Sequence, residues 1–276
     1  MISLAMCSNC ASTSLHNTTH NGRPIVIPRH TLIKLAPWAL LLFIGGVWQA
    51  VVVGLNVPSY LFPSVSDVYR SLIADWRPIA AHSLQTLYTT MVGFVLAVVF
   101  GVVLGVAVGA STLVYKSIYP LLVGFNAIPK VAFVPVLVVW FGIGTLPAIV
   151  TAFLISFFPV VVNVATGLAT VEPEMEDVLR SLGASRLDIL KKVGLPRSLP
   201  YFFASLKVAI TLAFVGSVIS ETVASNLGIG YLMMAASSNM NMGLVFAGLI
   251  VIGAMGVVMY ELFALIEKRM THWAHR

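Results

Sequence analysis

The segment 172–200, EPEMEDVLRSLGASRLDILKKVGLPRSLP, gathers five of the chain's ten acidic side chains and five basic ones, Arg180, Arg186, Lys191, Lys192 and Arg197. Elsewhere charge is scarce: 9% of the 276 residues are charged, against 59% hydrophobic. A cluster of this kind lies in water, and a structured polar loop in an otherwise apolar chain is a natural docking surface. Two further groups stand out because they fall inside apolar runs. Lys130 sits between Pro129 and Pro135, and Glu221 follows Ser217 and Ser220. Holding a charge at bilayer depth costs ~2.5–3.5 kcal/mol on insertion scales, so both are functional candidates by default. For Lys130 three readings stand: a cation facing a translocation pathway beside Pro129, a donor to carbonyls freed by that proline, or a side chain snorkelling to the interface. For Glu221 the readings are a pair with Lys130, a place with Ser217 on the pathway at an outer gate, or the wet end of a span. Glu261 lies in a later apolar run and could face the bundle or the inner headgroups.

Metal and redox chemistry find little support. Cys7 and Cys10 form a C-x-x-C near His16 and His20, without a second pair or a surrounding fold, which reads as a disordered polar tail. All six histidines are placed in the tails or in an outer loop, so no metal site is expected. Residues 1–30 lack the charged start and apolar centre of a signal peptide.

The elements that position these groups are helices in a membrane. Apolar runs of the ~20 residues needed for a crossing recur at 35–55, 85–110, 118–142, 146–168, 201–224 and 244–266. They do not alternate as barrel strands do, so the class is an all-α polytopic membrane protein with about six transmembrane helices. With the N-terminus inside, inner segments hold Arg23, Arg29, Lys34, Lys116, the five basic residues of 172–200, Lys268, Arg269 and Arg276. Outer ones hold only Arg70 and Arg77, the asymmetry of a cytoplasmic loop 172–200. The net charge of +6 is thus spent on topology and headgroups, and no basic stripe with aromatics suggests nucleic acid.

The expected organisation is a disordered cytoplasmic tail 1–34, a first helix and external segment 35–84, a core 85–268 carrying the coupling segment 172–200, and a cytoplasmic tail 269–276. In the external part, Val65, Val68, Tyr69 and Leu72 share one face of an interfacial helix. In the second span, Gly93, Gly101, Gly105 and Gly109 allow close helix packing, the last three on one face. Pro129 and Pro135 interrupt the third span, freeing backbone carbonyls.

Inside 172–200, Pro173 and the acids Glu172, Glu174, Glu176 and Asp177 suit a helix start. Met175, Val178, Leu179 and Leu182 form an apolar stripe, and Gly183 ends the helix in a positive-φ conformation. Ser185 and Asp188 form a capping box for a second short helix. Leu195-Pro196 and Leu199-Pro200 are expected to terminate it and redirect the chain.

Asp177 to Gly183, nine residues, then Val193-Gly194-Leu195-Pro196 resembles the EAA signature of binding-protein-dependent ABC importer permeases. Asp177 keeps the acid of that signature, while Val178 and Leu179 stand where the family has alanines. Leu61-Phe62-Pro63-Ser64, Ile128-Pro129-Lys130-Val131-Ala132, Trp140-Phe141-Gly142-Ile143-Gly144 and Gly228-Ile229-Gly230-Tyr231-Leu232 are similar to permeases for nitrate, sulfonates and taurine, and to those for pyrimidine precursors of thiamine. The resemblance implies a type I (MetI-like) fold and a pore of two protomers, most often a homodimer. It implies that Glu176, Asp177, Arg180, Ser181, Gly183, Ala184, Ser185, Leu195 and Pro196 dock into a groove of two separate ATPase subunits. A periplasmic or lipid-anchored binding protein would deliver the cargo. ATP and Mg would sit on the ATPase, since this chain has no G-x-x-x-x-G-K-[ST] loop; it is expected to bind no cofactor and not to be an enzyme. A secondary transporter would show an inverted repeat or paired broken helices, and only one proline-broken span is visible. An intramembrane enzyme would need paired catalytic groups in the spans.

Overall fold

The computed structural model describes residues 29–169, 178–179 and 181–270. The chain divides into two compact units, Met1–Asn56 and Val57–Arg276. In the first unit, α1 runs Arg29–Gly54 and covers all but the last residue of the run expected at 35–55. Leu40, Leu41, Leu42, Phe43 and Ile44 are consecutive and all exposed, so the helix is apolar on every side, as a lipid-facing element must be.

The second unit opens with α2, Val65–Ala74, whose Ser64 N-cap forms a capping box with Asp67. Then come α3, Trp76–Gly109; α4, Thr112–Ala127; a 3₁₀ turn, Lys130–Phe133; α5, Val134–Phe141; and α6, Thr145–Ala169. After the segment at 178–185 follow α7, Arg186–Ile189; a π-helical turn, Leu190–Gly194; α8, Leu195–Ala224; α9, Ile229–Ser238; and α10, Met242–Met270. Among the described residues, α3, α6, α8 from Pro196 and α10 are long and apolar enough to cross a membrane. Leu113–Ala127 and Lys130–Phe141 make a fifth such stretch, bent by 69°. The break lies at Ile128, whose extended backbone (ψ 128°) is what a following proline imposes. Pro135 causes no second interruption. It sits in the first turn of α5, where its missing N–H costs nothing.

The core is built where α3, α6 and α8 meet. Phe94, Ala152, Val160, Val164, Ile210, Ala213 and Phe214 are buried there, joined by Met259 of α10. The glycines of α3 bring its backbone onto α6, as expected. A Cβ on Gly93 would stand 2.6 Å from the Ala152 Cβ, one on Gly101 2.8 Å from that of Val160, and one on Gly105 2.7 Å from that of Val164. Small residues at such an interface let helices gain dispersion contacts that large side chains would forbid.

Three boundaries differ from the sequence reading. Helix α3 starts at Trp76, not near residue 85, so His82 belongs to a helix rather than to an outer loop. In its first turns Arg77 is exposed, while His82 bonds within the protein, as described below. Pro196 and Pro200 do not end a helix. Pro196 lies in the first turn of α8 and Pro200 a turn further on, so the helical run continues from Arg186 through the π turn to Ala224. Finally, α9 is a separate ten-residue apolar helix between two spans, too short for a crossing-length window to register.

Candidate functional site

Three groups of candidate residues take different places in the fold. In the polar segment, Glu176, Asp177 and Arg180, with Glu172, Pro173, Glu174 and Met175, lie outside the described residues, as do Cys7, Cys10 and the C-terminal histidines. Val178, Leu179 and Ser181 are helical, and the Ser181 hydroxyl donates to the Val178 carbonyl at 2.7 Å. The helix ends as the glycine predicted: Gly183 has φ +84°, and the Ala184 N–H reaches back to the Leu179 carbonyl at 3.0 Å. Ser185 and Asp188 form the expected capping box, Asp188 N–H to Ser185 Oγ at 3.2 Å and Ser185 N–H to Asp188 Oδ2 at 3.3 Å. Val178 and Leu182 present bare apolar side chains to the outside beside this turn. An open cleft of about 290 Å³ lies behind them, lined by Leu179, Leu182, Ile189 and Val193 with Asp188 and Lys192 at its edge. Leu195 and Pro196 follow the π turn as the first residues of α8.

At the break between α4 and α5, Lys130 is half-buried, directly after Pro129. Its Nζ donates to the Asn126 carbonyl at 3.0 Å and to Asn126 Oδ1 at 3.1 Å. The same ammonium lies 4.8 Å from the centre of the Phe158 ring, which stacks on Phe125 at 6.5 Å. Of the three sequence readings, the donor to a freed carbonyl is the one these bonds match. An ammonium carries three donors, and Asn126 engages two of them.

Glu221 and Lys130 are not joined. Glu221 lies in α8, 1% exposed, and its carboxylate oxygens are held by hydroxyls. Thr86 Oγ1 donates to Oε2 at 2.7 Å, and Thr89 Oγ1 donates to Oε1 at 3.0 Å. Ser217, itself fully buried, has its Oγ 2.5 Å from that of Thr89 and 3.3 Å from Oε1. The Gly230 N–H adds a bond to Oε2 at 3.3 Å. Glu221 therefore neither pairs with Lys130 nor marks a wet end. A lone buried carboxylate needs several donors to offset its lost hydration, and this one has them. Thr86, Thr89 and His82 escaped the sequence reading, although their spacing (82, 86, 89) forms a polar stripe down one face of an apolar helix. That stripe was the available signal. Glu261 lies exposed on α10, while the nearby Glu267 forms an ion pair with Lys207 of α8.

Residues 97–272 match the family model described as binding-protein-dependent transport system inner membrane component. The chain belongs to this family. A probable ABC transporter permease protein of Haemophilus influenzae is 34% identical over 214 residues, 78% of this chain and 87% of its own length. The formylaminopyrimidine transport permease protein ThiX of Halalkalibacterium halodurans is 27% identical, covering 87% and 96%. The nitrate import permease protein NrtB of Leptolyngbya laminosa is 28% identical, covering 87% and 89%. A chain of the MetNI methionine ABC transporter, solved in inward-facing conformations, superposes with a TM-score of 0.61 at 19% identity, over 71% of this chain and 97% of that one. The permease is thus a multi-pass inner-membrane subunit with the fold of that transporter's chain. As a transport component it is a non-enzymatic subunit. Within the permease, the Gly183 turn, the Lys130 break and the Glu221 cluster are three places where charge or backbone irregularity interrupts apolar helix.

Proposed function

We propose that this permease forms, with a second copy of itself, the translocation pathway of an ATP-driven importer for a small nutrient. Two ABC ATPase subunits supply ATP and Mg, and a periplasmic or lipid-anchored binding protein supplies the cargo. Both termini and the loop 172–200 face the cytoplasm. The observation that carries the reading is the segment around Gly183. Its exposed Val178 and Leu182 flank a capped, positive-φ turn that runs through the π turn into α8. A bare apolar pair on a rigid polar loop suits a groove on another protein. The direct helical connection to α8 gives a path for force from that groove to the core. Glu176, Asp177, Arg180, Ser181, Gly183, Ala184, Ser185, Leu195 and Pro196 make up this coupling segment.

The pathway runs past the break at Pro129, where Lys130 leaves one donor for a passing anion such as nitrate or a sulfonate. Glu221 and Ser217 stand behind the pathway wall rather than on it. A second cargo class, a flat heterocycle such as a pyrimidine precursor, is favoured by the stacked Phe125 and Phe158 rings next to Lys130. Uptake into vesicles holding the permease, its ATPase and its binding protein tests the whole reading. It is expected to require ATP hydrolysis, and uptake that persists without hydrolysis overturns it. K130M is expected to lower uptake of an anionic cargo about tenfold while K130R preserves it. Equal effects of K130M on nitrate and on a neutral pyrimidine would remove Lys130 from anion selection.

A further inference from the structure

Glu221 is the one fully buried ionisable group among the described residues, and neither the coupling segment nor the pathway uses it. Its surroundings explain why a carboxylate is kept at this depth. Helix α9 begins at Gly228, which has no side chain with which to cap the orphan N–H groups of a helix start. Those groups are met by two other helices. Gly228 N–H donates to His82 Nδ1 at 3.1 Å, Ile229 N–H to Thr86 Oγ1 at 2.8 Å, and Gly230 N–H to Glu221 Oε2 at 3.3 Å. The Thr86 hydroxyl in turn donates a hydrogen bond to the same Oε2, so the chains of donors from Ile229 and Gly230 both end on one carboxylate oxygen. The other oxygen is held by Thr89, backed by Ser217. A negative group at this place also meets the positive end of the α9 dipole.

The backbone is shaped to the carboxyl group. Gly228 has φ +101°, and a Cβ there would fall on the Glu221 carboxyl itself. A Cβ on Gly230 would lie 2.5 Å from the Val218 carbonyl oxygen. The Gly-Ile-Gly run is thus a mould for Glu221. Close by, the Gly144 N–H bonds the Ala224 carbonyl at 2.9 Å, tying the turn between α5 and α6 to the same end of α8.

We infer that Glu221 is a positioning residue that caps α9 from a neighbouring helix, with Thr86 and His82, and so fixes α9 to α3 and α8 as one body. When the pathway opens and closes, these three helix ends move together.

The structural arm of the test does not depend on the importer reading. Spin labels at exposed Leu84 on α3 and Met234 on α9 report their separation in lipid nanodiscs, with Val103 and Val208 as a control pair on α3 and α8. With doubly labelled permease diluted into an excess of unlabelled permease, the wild type and E221Q are expected to give one narrow distance, since the glutamine oxygen accepts the same N–H and hydroxyl hydrogen bonds while its amide donates to Thr89 or Ser217. E221L is expected to give a broad distribution with the control pair unchanged. Should E221L disturb the control pair, T86V, which keeps the carboxylate but removes the link to Ile229, is expected to broaden the Leu84–Met234 distance alone. A narrow distance in T86V, or a broad one in E221Q, overturns the inference. In the transport arm, which rests on the proposed function, E221Q keeps uptake within about twofold and T86V lowers the maximal rate with KM unchanged. Loss of uptake in E221Q with its distance still narrow would place Glu221 on the pathway and overturn the inference. A wild type without ATP-driven uptake would sink the importer reading and leave the distance arm to decide.

Discussion

Replacing Gly105 by alanine adds one methyl group at one of the close approaches in the α3–α6 contact. That methyl would stand 2.7 Å from the Val164 Cβ, 2.9 Å from its Cγ1 and 3.0 Å from the Val161 carbonyl oxygen. Carbon atoms rest at about 3.5–4.0 Å, so the helices must part locally by roughly 1 Å. Parting there also loosens the flanking contacts at Gly101 and Gly109, because all three glycines lie on one face. Overpacking of this kind costs ~1–3 kcal/mol, and three simultaneous close approaches put it near the upper end. Exchange of glycine for alanine in a helix returns about 1 kcal/mol, leaving a net loss of about 2 kcal/mol. Gly124 in α4 is the control, since a Cβ there meets nothing within 4 Å and G124A should gain up to about 1 kcal/mol. Unfolding of the purified permease in mixed micelles of increasing SDS fraction, followed by tryptophan fluorescence, compares the two. Equal midpoints for G105A and G124A would refute the claim that the glycine face sets the helix separation.

Two other consequences can be measured. G183A forces a residue with a Cβ into φ +84°, a cost of ~1–2 kcal/mol confined to the polar turn, so it should lower cargo-stimulated ATPase activity of the assembled transporter while leaving detergent stability of the membrane helices unchanged. The hydrogen bond from Ser64 holds the Asp67 carboxyl below the usual aspartate range. With the folded pKa depressed, the capping contribution is complete above the unfolded value of about 3.9 and fades as pH falls through the folded one. Exchange protection of the α2 amides, corrected for intrinsic rates, should therefore drop in acid for the wild type, whereas D67N should be lower at neutral pH and flat; parallel profiles would remove Asp67 from the cap.

What the sequence made readable was local and periodic. The fourfold glycine spacing in α3, the Gly183 turn and the Ser185–Asp188 box each depend on residues within a turn or two of one another, and each formed as expected. What it concealed depends on register between distant helices. Opposite charges suggested pairing Lys130 with Glu221, yet a lysine can be satisfied by the asparagine one turn behind it, and a carboxylate by hydroxyls 132 and 135 residues away. Proline was ambiguous for a related reason. Pro196 and Pro200 look the same in a sequence whether they end a helix or begin one, and only the helical turns upstream decide. The hydropathy of 76–84 misled because Arg77 and His82 lower it within a continuous helix, His82 serving the interior while Arg77 stays exposed.

The π turn at Leu190–Gly194 has a geometric effect on everything upstream of it. It holds one residue more than an α-helical turn would, and each residue of an α-helix advances the azimuth by about 100°. The α7 end of the rod is therefore out of phase with α8 by about that angle. A side chain on α7 and one on α8 that would share a stripe on an unbroken helix look in different directions here. The aim of the Gly183 turn about the axis of α8 is set by the number of residues between them, independently of what those residues are.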